Sequence, residues 1–216
     1  MPIAFISHSD CLLHDVGEGH PECPARIGAI QDQLLSSGME FILKREDAPI
    51  VQREHLDRVH DPDYVTGILT EAPYEGLRRL DSDTFMMPKT LDAALRAAGA
   101  VVHGVDLVME KKAATAFCAV RPPGHHAERH RAMGFCYFNN VAVGAAYALD
   151  VHGLDRVAVI DFDVHHGNGT EDIFEHDPRV LFCSSFQHPF YPFTGHESET
   201  DNVVYIPLSA GADGKA

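Results

Sequence analysis

The stretch VAVIDFDVHHGNGT, Val157 to Thr170, runs apolar and then carries Asp161, Asp163, His165 and His166 into a Gly167-Asn168-Gly169 turn. On an extended backbone successive side chains alternate faces, so positions 161, 163 and 165 point one way and His166 the other. Asp163 and His165 can therefore converge on one cation, with Asp161 behind them and His166 left to a structural role. A carboxylate oxygen and an imidazole nitrogen suit Zn2+, and also Fe2+, Co2+ or Mn2+. The simpler use of such a pair is a carboxylate–histidine hydrogen bond at a strand end. That use leaves Asp161, His166 and the two glycines unexplained. Asn168 can hold an imidazole by accepting its N–H.

A second stretch, RPPGHHAERHRAMGFCYFNN, places His125 and His126 in a loop stiffened by Pro122 and Pro123. Gly124 lets that loop come close to whatever lies ahead of it. Adjacent imidazoles there suit acid–base work, since each titrates near neutral pH and a neighbouring carboxylate can fix its tautomer. Two solvent-exposed loop histidines are the alternative. Phe135, Tyr137 and Phe138 follow Gly134, as core aromatics or with one of them lining a narrow tunnel.

Chemistry of this kind needs strand ends to hold it. PIAFISH, ATAFCAV, RVAVIDFD, VLFCSSF and VVYIPL read as strands. CPARIGAIQDQLLSSG, TLDAALRAAGAVVHGVDLVMEKK, NNVAVGAAYALDVHG (capped by Asn139 or Asn140) and EDIFEHD read as helices. The strands are apolar throughout, which predicts burial on both faces. Strand–helix alternation predicts an α/β fold, a mainly parallel sheet with helices on both sides. Ligands of such sheets lie beyond the carboxyl ends of the strands, and both histidine pairs fall there.

Composition narrows the partners. Among 216 residues, 32 acidic side chains face 17 basic ones, a formal charge of −15. With no basic stripe to displace counterions, direct nucleic-acid binding is not expected. An acidic surface attracts a cationic substrate instead. Five cysteines form no CxxC pair, which points to a reducing compartment. The N-terminus shows no signal peptide and no apolar run reaches the roughly 20 residues of a membrane span, so a cytoplasmic, membrane-free protein is expected.

HPECPARI, RPPGHHAERHRAMGFCYFNNVAVGA and VIDFDVHHGNGTEDIF together resemble the histone deacetylase superfamily, nearest its class II and bacterial deacetylase-like members. The resemblance runs in order from about Ile3 to the last residue. It implies the three-layer arginase–deacetylase fold and hydrolysis of an acetylated amine at a catalytic Zn2+, with Fe2+ or Co2+ as alternatives. By that resemblance Asp163 and His165 are two of three zinc ligands, and His125 and His126 are the catalytic dyad. Asp161 then pairs with the first of these and Asn168 with the second. Gly134 and Phe135 form one wall of an acyl-lysine tunnel, with Tyr191 opposite. Oxygens around Asp161, Asp163, His165 and Ser184 resemble a structural K+ site, and Arg26 matches an arginine near an inner cavity.

Two departures go with it. Phe186 stands where the family usually has histidine. The family's third metal ligand, an aspartate, and its carbonyl-polarising tyrosine lie beyond LSAGADGKA, so residues 1–216 are expected to form a single catalytic domain without its C-terminal part. A sheet halted there has an open edge and an uncovered face, which leaves room for a homo-oligomer. The competing readings are an acetylpolyamine amidohydrolase, a binuclear manganese ureohydrolase of the same fold, and an inactive deacetylase-like binding protein.

Overall fold

The computed structural model describes residues 1–195 and 200–213. The chain opens with strand β1 (Ile3–Ser7), a short helix α1 (Asp10–Leu13), helix α2 (Ala25–Ser36) and strand β2 (Leu43–Asp47). Helices α3 (Arg53–Leu56) and α4 (Pro62–Thr70) precede a two-residue hairpin of β3 (Arg78–Arg79) and β4 (Phe85–Met86). The long helix α5 (Thr90–Met109) leads into strand β5 (Thr115–Cys118) and helix α6 (Asn140–Asp150). Strand β6 (Val157–Asp161), helix α7 (Asn168–Phe174) and strands β7 (Val180–Gln187) and β8 (Val203–Leu208) complete the order.

The main strands run parallel, as strand–helix alternation requires, in two three-stranded sheets ordered β2-β1-β5 and β6-β7-β8. Helix α5 is rich in alanine on the side it turns inward. Ala93, Ala97 and Ala100 are fully buried, so its backbone lies close to β1 and β5. Gly99 is forced by the same closeness, since a Cβ there would lie 2.0 Å from the Pro49 carbonyl oxygen. Helix α6 starts where Asn139 Oδ1 accepts from Ala142 N at 3.1 Å, which settles the two cap candidates in favour of Asn139. Its apolar face packs with α7 on Val159, Val180, Phe182 and Val203.

Burial on both faces, expected from the apolar strands, holds for the central strand β1 but not for the second sheet. Ala4, Phe5 and Ile6 of β1 are buried, whereas Ile160 is 61% exposed, Leu181 42%, Val204 41% and Ile206 47%. The reason is local. Helices α6 and α7 occupy one face of β6-β7-β8, and the side chains of alternate residues on the other face meet solvent. Among the described residues no helix is long and apolar enough to cross a membrane.

Two buried histidines tie stability to pH. His60 donates Nδ1–H to the Glu128 carbonyl at 2.9 Å and accepts from Asn139 N at Nε2, also at 2.9 Å. A second ring proton would face a donor. Burial lowers His60 from 6.5 to about 4, and burial followed by the Arg121 charge does the same to His14. Both folded values lie below the unfolded one, so this stability is complete above pH 6.5 and is lost as pH falls towards 4. The cost is roughly 3 kcal/mol for each ring at full protonation. Melting curves at pH 7 and pH 5 should show a large fall in Tm that is smaller in His60→Gln; equal falls would contradict this account.

Candidate active site

The site is built where β5 and β6 end. After β5 the chain runs through Arg121, Pro122, Pro123 and Gly124 to His125 and His126. After β6 it turns through Asp163 and His165 into α7. The two loops are joined by backbone: Gly169 N and Thr170 N donate to the His125 carbonyl at 3.0 and 3.2 Å. Asn139, besides capping α6, donates Nδ2–H to the Ala127 carbonyl at 3.3 Å and to Thr170 Oγ1 at 3.1 Å. One side chain thus fixes a helix start and both histidine loops.

Gly169 is needed for that closeness, because a Cβ there would stand 2.3 Å from the Ala127 carbonyl oxygen. At Gly134, with φ +56°, a Cβ would lie 2.3 Å from the His126 ring.

The two adjacent histidines have different partners. His125 Nδ1 lies 2.8 Å from Asp161 Oδ2, and His126 Nδ1 lies 2.8 Å from Asn168 Oδ1. The two rings are 4.0 Å apart, centre to centre. Since both partner oxygens only accept, each ring carries its proton on Nδ1 and leaves Nε2 free. Burial by itself would raise the Asp161 carboxyl, but the His125 hydrogen bond and charge outweigh it and hold it below the ordinary range. Burial, followed by the His125 charge, pushes His126 down to about 3, so it is neutral at physiological pH.

Asp163 and His165 sit together at the strand tip, with Oδ1 and Nδ1 3.0 Å apart. The His165 ring is stacked on Phe190 at 5.1 Å and meets Tyr191 edge-on at 5.8 Å. His126 lies 5.8 Å from His165 on the dyad side. A carboxylate oxygen and an imidazole nitrogen at that separation can both reach one ion at the roughly 2.0–2.2 Å of zinc bonds. The donor set fits zinc and provides two of the three protein ligands that a catalytic zinc takes. Among the described residues no group of three or more His, Cys, Asp or Glu stands ready to hold a metal.

A cavity of about 540 Å³ is lined by His125, His126, Asp163 and His165 together with Gly134, Phe135 and Tyr191. Arg26 lines the same cavity. Tyr191 stands edge-on to His126 at 5.1 Å, and its buried hydroxyl has no hydrogen-bond partner among the described residues. Burial raises that phenol above its ordinary range. Asp161, Asn168 and Ser184 are not among its lining residues, and Asn168 lines a second cavity with Glu128.

The β6–β7 register sets Asp161 opposite Ser184. His166 is fully buried and faces away, with Nε2 2.6 Å from Glu171 Oε2 and Nδ1 3.0 Å from Ser184 Oγ. The Glu171 carboxylate can only accept, so His166 Nδ1 accepts from the Ser184 hydroxyl. Phe186 packs 4.7 Å from the His166 ring and fills the space around it.

Three groups that matter here were not picked out from the sequence. Asp83 Oδ1 and Thr84 Oγ1 accept from Gly134 N and Phe135 N at 3.2 and 3.0 Å and so hold the Gly134–Phe135 turn. Glu128 Oε1 accepts from Asn168 Nδ2 at 2.8 Å. Glu22 and Arg121 form a buried bidentate ion pair at 2.5 Å, and both line the same cavity as His125 and His126. Their nearest signals are DSDT before the wall loop and the glutamate two residues after His126 in GHHAE.

Known proteins resemble the chain in sequence and in fold. A family model described as histone deacetylase domain matches residues 20–216. A probable deacetylase of Archaeoglobus fulgidus is 36% identical over 98% of this chain and 60% of its own. Polyamine deacetylase HDAC10 of Homo sapiens is 40% identical over 94% of this chain and 32% of its own. The crystal structure of the HDA15 HD domain superposes with a TM-score of 0.90 at 33% identity, covering 97% of this chain and 62% of that one. The chain thus spans a third to under two thirds of the length of these proteins.

Proposed function

Because the chain belongs to the histone deacetylase family, with that family's fold, we propose that it contributes the dyad and two metal ligands of a zinc-dependent deacetylase acting on an acetylated amine. The observation that supports this best is the pairing of two tautomer-fixed histidines with Asp163 and His165 across one cavity. Zinc held by Asp163 and His165 would supply Lewis acidity to the acyl carbonyl and lower the pKa of a water.

The rest falls to side chains. Phe135 and Tyr191 flank the acyl chain and keep bulk water from it. His126 Nε2 takes the proton of the water that adds to the amide carbon. It returns that proton to the nitrogen as the C–N bond breaks, releasing acetate and a free amine. His125, held by the Asp161 carboxylate, orients its neighbour and supports positive charge as it develops. Ser184 and Asp161 together offer oxygens for the K+ of the resemblance.

The substrate reading is N-acetyl-lysine or an acetylated polyamine. A net charge of −15 favours a cationic amine, and Asp83 lines the cavity near the Phe135 wall. Free cysteines throughout accord with a reducing, cytoplasmic setting. Acetate release by the full-length protein from an acetyl-lysine peptide and from acetylspermidine tests the reading. Turnover of at least one is expected, and turnover of neither in the zinc-loaded protein would refute it.

A further inference from the structure

We propose that Glu128 is a positioning residue that sets the tautomer of His126 by fixing which way the Asn168 amide faces. This rests on the deacetylase reading given above. The two histidines of the dyad are anchored unequally. His125 meets a carboxylate, whose two oxygens are both acceptors, so its Nδ1 carries a proton whichever way Asp161 turns. His126 meets an amide, which presents an acceptor on one side and a donor on the other. Turned over, Asn168 would offer Nδ2–H to His126 Nδ1. The ring would then have to carry its proton on Nε2, the nitrogen left for the reacting water.

What prevents the turn lies on the far side of the amide. Asn168 Nδ2 donates to Glu128 Oε1 at 2.8 Å and to Met133 Sδ at 3.3 Å, and both neighbours are acceptors. A reversed amide would set its oxygen against a carboxylate oxygen. The correct orientation instead gains a charge-assisted hydrogen bond. Glu128 is itself held: its Oε1 also accepts from Arg131 at 3.0 Å, and its backbone N–H donates to the Arg131 carbonyl at 2.9 Å. Its own carbonyl accepts from His60 Nδ1 at 2.9 Å. Asn168 is buried, with 7% exposure, and it and Glu128 line a second cavity of about 400 Å³ beside the dyad. The anion that His125 touches directly is thus supplied to His126 one residue removed.

The test reads the tautomer itself. Long-range 15N imidazole spectra of the full-length protein, labelled at histidine, distinguish Nδ1–H from Nε2–H rings, and loss of one signal in His126→Gln identifies His126. Wild type and Glu128→Gln, which keeps an acceptor oriented by Arg131, should both show Nδ1–H. Glu128→Ala should show a mixture with Nε2–H, and its kcat should fall about tenfold with KM unchanged. The Glu128 side chain is a quarter exposed, and the remaining histidine signals report whether the variant is folded. Unchanged tautomer and kcat in Glu128→Ala would overturn the proposal, as would Glu128→Gln losing as much as Glu128→Ala. The spectrum needs no turnover, so a protein without deacetylase activity would retract the function and still decide the role of Glu128.

Discussion

His126→Ala should lose turnover by 100- to 10,000-fold while zinc content stays near wild type, and His165→Ala should lose the zinc itself. The two rings lie 5.8 Å apart and line one cavity, so a loss of structure would affect both readouts together. Their surroundings assign them separate work. His126 Nδ1 is committed to Asn168, the ring is buried and neutral, and only Nε2 remains to handle a proton. His165 has its Nδ1 beside Asp163 Oδ1 and is clamped against Phe190, the arrangement of a donor pair rather than of a base. Metal content by elemental analysis and turnover measured on the same samples make the comparison. Equal metal loss in the two variants would contradict the assignment.

Glu22→Ala should destabilise the fold by about 3–5 kcal/mol, the cost of stripping one partner from a buried ion pair. Arg121 is 3% exposed and Glu22 5%, and the guanidinium also donates to the carbonyls of Cys11 and His14 at 2.6 and 2.9 Å. Removing the carboxylate leaves a buried cation whose remaining partners are neutral carbonyls. His14 Nε2, 3.4 Å from Glu22, loses its partner as well. For a chain of this size the fall in Tm is on the order of 10 °C. Arg121 begins the stiff segment that delivers His125 and His126, so activity should fall with stability. A loss under about 1 kcal/mol by urea unfolding would show that water reaches the pair and that it carries little of the fold.

How far the sequence foretells all this depends on the kind of interaction. Asp161, Asp163 and His165 stood out as ionisable residues following an apolar run, but the strand alternation expected of them does not hold: β6 ends at Asp161, and Asp163 and His165 lie in bends whose backbone N–H groups turn back to Asp161 and Asp163. The closeness of His125 and His126 to the β6 tip was expected from their place after an apolar strand and two prolines, and the structure brings both to one cavity with Asp163 and His165. Side chains that act on a backbone N–H have no such period. Asp83 and Thr84 reach Gly134 and Phe135 across 51 positions, and Glu22 reaches Arg121 across 99. Nothing local to either partner announces such a contact.

Strand β2, LKRED, was missed for a related reason. It is a polar edge strand, held by its parallel pairing with β1 rather than by an apolar pattern. The opposite error arose on the second sheet. Apolar runs predicted burial on both faces, yet Phe162 is 86% exposed and Ile160 61%, because composition says what a face prefers and not what covers it.

The central claim is that Asp163 and His165 hold a metal on which the dyad acts, and acetate release is its most direct measure. The full-length protein should release acetate from an acetylated amine, stop when a chelator strips the metal, and recover with one equivalent of Zn2+. Undiminished release from the metal-free protein, or no release from the zinc-restored one, would contradict it.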